Sequence, residues 1–268
     1  MAILSRLHWL LLPISFSLLN GCAGTPPDAL RQQLDRLLPA DALLLGEQHD
    51  APDHQRIARE VVQQLAARGQ LAALALEMAE QGTGTQGLPA DVSEVQVQTA
   101  LQWNDLAWPW QAYGPVVMAA VRAGVPVLGA NLPRARMRER MADASLDEHL
   151  PAAAWQAQQA AVRSGHCDLL PPSQIAPMTR IQIARDLAMA ATLQAAAVPG
   201  QTVVLLAGSA HVDRQLGVPR HLRAGFNARS IRFGAEPRDT AERFDAAWPA
   251  AAAPARDYCA ELKRQWQR

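Results

Sequence analysis

The chain has 268 residues, enough for one large domain or two small ones, and its apolar share of 49% supports a sizeable core. Twenty-five Lys and Arg balance twenty-five Asp and Glu, which excludes the basic excess of a nucleic-acid surface, so no nucleic-acid partner is expected. Aromatic residues make up only 5% while alanine is abundant, a composition suited to closely packed helices.

Arg6 lies close behind Met1 and is followed by LHWLLLPISFSLL, Leu7–Leu19. This apolar run of about a dozen residues is too short to span a bilayer as a helix. Residues 1–21 read as a secretory signal. It ends Leu19-Asn20-Gly21-Cys22, which resembles a bacterial lipobox in which Cys22 becomes the lipidated first residue. Ala23, not Asp, follows the cysteine, as in the outer-membrane sorting pattern. The expected location is therefore the outer membrane, reached through a lipid anchor, on its periplasmic or its surface side. Two further cysteines, Cys167 and Cys259, form an even pair in an exported chain and read as a disulfide, with two free thiols as the alternative.

Residues 22–39 are a linker and a short helix, with apolar positions at 30, 34, 37 and 38. Strands and helices then alternate. Ala42–Leu45 reads as a buried strand, Pro52–Arg68 as a helix stopped by Gly69, and Leu71–Leu76 as a second strand. Residues 81–90 are a loop, residues 91–101 and Pro115–Ala123 are helical, and Val125–Ala130 is a third strand. Residues 133–163 are helical in two pieces, Gln174–Ala197 is a long helix, Thr202–Ala207 is a fourth strand and Asn227–Phe233 a fifth. This order implies βαβ units: a single α/β domain over residues 40–236, with a mostly parallel sheet flanked by helices and with helical insertions. The Ala- and Pro-rich tail, residues 237–268, is expected to wrap the surface under the disulfide tether and not to build core.

The polar residues gather where the strands end. Glu47 and His49 follow the first strand, Glu77 the second, Asn131 the third and His211 the fourth. In a parallel sheet these ends share one edge, where open α/β folds bind ligands. A carboxylate buried at a strand end needs a partner, so Glu47 and Glu77 point to a site. Asp50 reads as the N-cap of the following helix, Asp53 as its first-turn acid, and His54 as either exposed or site-facing. Thr179, Gln182 and Asp186 form a polar stripe on the long helix whose default is a solvated face; Arg185 beside it could face an anionic ligand. His166, next to Cys167, is open between a ligand and a structural role. Trp103, Trp108, Trp110 and Tyr113 lie within eleven residues, which suggests a flat apolar ligand, a protein interface or a satellite core.

GEQH with PDH, ALEM, WPWQAYGPVV, PVLGANLPR, GHC, MTRIQIARDLAMA and GSAHV with GVPRHL occur in this order. Together they resemble the ChaN-like haem-binding lipoproteins over about residues 40 to 233. The resemblance implies haem as cofactor and partner, a role in iron acquisition without catalysis, a homodimer holding haems between its subunits, and a haem-uptake receptor as a further partner. It also implies a tyrosinate ligand to ferric iron. Tyr113 is the tyrosine inside the matching region, and His49, His54, His166 and His211 are the histidines that could assist. Tyr258, in the tail, ranks second. A more distant resemblance to the Tiki, TraB and erythromycin-esterase proteins keeps a metal-dependent hydrolase as the alternative, with Glu47, His49, Glu77 and His211 as its ligands and general base.

Overall fold

The computed structural model describes residues 27–234 and 241–267. The signal segment and Cys22 lie outside the described residues. A short helix, α1 (Pro27–Asp35), leads into β1 (Ala42–Glu47), α2 (Pro52–Ala67) and β2 (Leu71–Glu80). Next come α3 (Glu94–Ala100), α4 (Trp110–Arg122) and β3 (Val127–Asn131). Short helical pieces including α5 (Met137–Ala142) lead to α6 (Ala152–Gly165) and the long α7 (Pro172–Ala196). β4 (Thr202–Gly208), β5 (Ala228–Phe233), β6 (Ala246–Trp248) and α8 (Tyr258–Trp266) complete the chain.

The strands form one sheet in the order β3-β2-β4-β1-β5-β6, and every pairing is parallel. Its central strands are covered on both faces, which explains their unbroken apolar runs. Leu43, Leu45, Leu74, Leu76, Val204 and Leu206 face the side packed by α1, α2 and α4. The alternate residues Leu44, Ala73, Ala75, Val203 and Leu205 face the side of α7. Alanines on that second face let the long helix approach closely. A third cluster, around Leu132, Leu146 and Ile183, packs the insertions of α5 and α6 against α7.

Three differences from the sequence reading have physical causes. α4 starts at Trp110 and carries Pro115 within it, where the sequence reading began the helix at that proline. The missing N–H of Pro115 frees the carbonyl of Gln111, a loss tolerated near a helix start and open to solvent. Asp50 does not cap α2: Ala51 holds that position without a side-chain bond, and Asp50 instead accepts the hydroxyl of Tyr258. The tail does build core. β6 extends the sheet beyond β5, and Phe244 and Trp248 are buried, with Trp248 stacked on Phe233.

Candidate functional site

The chain order places the site. From β1 it crosses to β2 and outward to β3, then returns to insert β4 between β2 and β1 before adding β5 on the far side. The winding reverses beside β4, the place where open α/β sheets form ligand crevices. Glu47 and Gly208 end β1 and β4 there, and Glu77 stands three residues before the end of the neighbouring β2. Glu77 sits in an irregularity of β2, where the register against β3 shifts between Leu76 and Glu80. Such a bulge re-aims a side chain.

Two linked polar groups result. In the first, Glu47 is 2% exposed and accepts from the Tyr113 hydroxyl at 2.7 Å, from Gln55 Nε2 at 2.6 Å and from His49 Nδ1 at 2.8 Å. Burial pushes the Glu47 carboxyl above its usual range, against these donors. Burial alone would depress the His49 imidazole, but Glu47 and Glu77 outweigh it and its pKa is raised. In the second group, His211 lies between two buried carboxylates, with Nδ1 2.6 Å from Asp186 Oδ1 and Nε2 3.4 Å from Glu77 Oε1. Burial opposes its charge, yet the two acids hold it as an imidazolium with a pKa pushed up to about 10. Burial raises Asp186 to about 6 despite His211. Glu77 is buried as well, but His211, His49 and the Gly208 N–H, which donates to Oε2 at 2.7 Å, hold its carboxyl far below the usual range. His49 joins the groups, its Nε2 3.8 Å from Glu77 Oε2. Gly208 keeps this corner tight: a Cβ would stand 3.0 Å from His49 Nε2 and push that ring outward.

Above this floor opens a cavity of about 1140 Å³. It is walled on one side by Trp108, Pro109, Ala112 and Pro115, and it also takes in Arg59, Arg185 and Tyr258. Arg59 Nε and Arg185 Nε are buried and have no hydrogen-bond partner among the described residues. Two unpartnered guanidinium nitrogens beside an apolar wall suit an apolar ligand carrying carboxylates.

The expected convergence of Glu47, His49, Glu77 and His211 is therefore what the fold builds, with Tyr113 and Arg185 on the same cavity. Other expected residues stand elsewhere. His54 is 1% exposed inside α2, where Nδ1 accepts from the Gln48 N–H at 2.9 Å and the ring packs on Phe233, so it does not line the cavity. His166 caps the end of α6, with Nδ1 2.8 Å from the Val162 carbonyl, and is likewise not on the cavity wall. Asn131 donates to the Glu77 carbonyl at 2.8 Å and so supports the β2 irregularity from outside the cavity. Among the described residues no group of three His, Cys, Asp or Glu is placed to hold a metal ion; the ring nitrogens of His49 and His211 face carboxylates. Gln55 and Arg59 are site residues the sequence reading did not single out, and Asp186 it read as part of a solvated stripe; each looked like an ordinary polar position on a helix.

Tyr113 is 1% exposed, and burial together with Glu47 pushes its pKa well above the ordinary phenol value. Tyr258, ranked second on sequence, lines the same cavity with 48% exposure. Cys167 and Cys259 are bonded, joining the loop after α6 to the start of α8.

A parallel α/β domain with a polar floor, an apolar wall and unpartnered guanidinium nitrogens at its switch point belongs to the class of ligand-holding sheet-edge proteins. The chain belongs to the ChaN family of haem-binding uptake proteins, in the Tiki superfamily, whose signature matches residues 33–222. That membership supports haem as its ligand. Among solved structures it is similar to Campylobacter jejuni ChaN, described as cofacial heme binding, with 20% identity, a TM-score of 0.66, and 83% of this chain and 92% of that one covered. It is more remotely similar to the type III effector HopBA1, at 15% identity and a TM-score of 0.48 over 85% of this chain and 95% of that one. A Bacillus cereus protein follows at 12% identity and 0.44, over 78% and 69%. No curated protein matches the sequence.

Proposed function

We propose that the cavity holds haem and that the protein is an outer-membrane lipoprotein handling haem for iron acquisition, without catalysis. The observation that carries this reading is the pairing, in a chain of a haem-binding family, of an apolar wall with two orphaned guanidinium nitrogens. Trp108, Pro109 and Ala112 would lie against the macrocycle. Arg59 and Arg185 would take the carboxylates, which are the charge-assisted bonds these nitrogens lack.

Haem brings the iron; the chain supplies an oxygen donor to it. A tyrosine is the donor proposed, since phenolate oxygen suits ferric iron. Tyr113 is the tyrosine favoured by its place in the family pattern, and it would first have to release the Glu47 carboxylate, a ready acceptor for its proton. Tyr258 is the more accessible of the two. A second copy of the chain is proposed to close over the ligand. Leu106, fully exposed beside the cavity residues Ala107 and Trp108, is an apolar residue that such a copy would cover. A haem-uptake receptor would be the exchange partner.

The test is titration of the recombinant mature chain with ferric haem, with size-exclusion chromatography before and after loading. A Soret band that grows to a fixed stoichiometry, weakened by a tyrosine-to-phenylalanine change, is the expected result. An unchanged haem spectrum at excess protein would remove the reading. The metal-hydrolase alternative has no three-ligand group behind it among the described residues; stoichiometric zinc, manganese or cobalt in the purified protein would revive it.

A further inference from the structure

α8 buries none of its side chains, and nine residues are too few for a helix to hold itself in water. Something other than core packing must keep it in place, and three attachments do. The Cys167–Cys259 bond ties it to the loop after α6. The Tyr258 hydroxyl donates to Asp50. Upstream, the Ala251 N–H donates to Asp53 Oδ2 at 2.8 Å. The segment 249–257 between β6 and α8 is without regular structure, so the chain runs as a strap from the sheet edge to the start of α2 and on to the α6–α7 loop. It lies outside the family match, which ends at residue 222. Two strap residues, Arg256 and Tyr258, line the cavity, and the Arg256 guanidinium lies 5.5 Å over the Tyr258 ring while Glu261 holds it from the other side at 2.6 Å.

We infer that residues 249–259 are a disulfide-pinned latch across the cavity mouth, that Tyr258 is its ligand-contacting residue, and that retention of the ligand depends on the Cys167–Cys259 bond. This rests on the haem reading above. The latch has one covalent point, one residue beyond Tyr258. Its other attachments are the packing of Ala250 on the core, next to β6, and two hydrogen bonds to half-buried acids at the head of α2, which are weak beside a covalent bond. Splitting the S–S bond, with two electrons and two protons from a dithiol or phosphine giving two thiols, leaves the strap free to swing from β6.

The test is release of haem from the loaded mature protein to excess apomyoglobin, for wild type, for the Cys167→Ser, Cys259→Ser double variant, and for Tyr258→Ala with the disulfide intact. The double variant avoids reductant, which would itself act on haem. Both variants are expected to release haem at least about tenfold faster, and trypsin is expected to cut the tail of the double variant first. Should the double variant fail to fold by circular dichroism, Tyr258→Ala alone decides. Equal release rates throughout would overturn the latch. Fast release by the double variant with wild-type release by Tyr258→Ala would overturn the assignment of Tyr258. A wild type that takes up no haem overturns the haem reading and the latch with it.

Discussion

Tyr113 on α4 gives its hydroxyl hydrogen to Glu47 Oε1 across 2.7 Å, tying a flanking helix to the end of the first strand. Both groups are buried, so neither is exchanged for water without cost. Tyr113→Phe keeps the ring against Trp103 and Trp108 but removes one of the donors to Glu47. The expected loss is about 1–3 kcal/mol in urea denaturation. An unaltered midpoint would mean that Glu47 is protonated or rehydrated in the variant.

The imidazolium of His211 gives stability a defined pH dependence. Glu77 on β2 and Asp186 on α7 face it, with His49 across the floor. Its folded pKa of about 10 exceeds the ordinary 6.5, so its contribution is complete below about pH 6.5 and is lost as pH rises toward 10. Glu77 works the other way: its depressed pKa adds stability that is lost as pH falls below the ordinary 4.5. Asp186, raised to about 6, loses stability as pH climbs from the ordinary 3.8 to about 6, and adds no further slope above that. Denaturation between pH 6.5 and 10 should show a falling midpoint in the wild type and a much flatter one in His211→Gln. That variant should also be less stable by about 3–5 kcal/mol at neutral pH, as when one member of a buried pair is removed.

Gly208→Ala would place a methyl 3.0 Å from His49 Nε2 and 3.5 Å from Glu77 Oε2. The His49 side chain is 38% exposed and can swing outward, so the stability cost should stay below about 1 kcal/mol. The chemistry should change more: with Glu77 farther away, the raised His49 pKa should fall back toward 6.5 in an NMR titration. A His49 pKa identical in the two proteins would place the ring's charge elsewhere.

The Cys167–Cys259 bond closes a loop of 92 residues, for which chain entropy gives roughly 4–5 kcal/mol as an upper figure. Reduction should lower the unfolding free energy by up to that amount, read as a lower denaturation midpoint, while circular dichroism in native buffer stays the same, because α8 buries no side chain.

Much of this was legible in the residues. The strand ends carrying Glu47, Glu77 and His211 could be read because a parallel sheet puts all such ends on one edge, whatever the strand order. The order still mattered: only with β4 between β1 and β2 do the two polar groups meet. Asp186 was hidden because α7 is buried on more than one side, so its stripe with Thr179, 0% and 2% exposed, looked like a solvated face. Histidines 54 and 166 could not be separated from His49 by type or spacing; their neighbours, Phe233 and the Val162 carbonyl, come from the folded chain. The tail misled because Ala246–Trp248 is too short and alanine-rich to announce a strand, and an edge position needs only a few ladder bonds.

β4 is the last of the three central strands to be made, yet it sits between the first two. A chain that has emerged only as far as Gly200 has Glu47 and Glu77 but neither the backbone N–H of Gly208 nor His211 to compensate them. Two carboxylates at an unfilled gap repel one another, so the floor cannot close early. The ligand cavity is therefore complete only once Thr202–Gly208 lies between the first two strands.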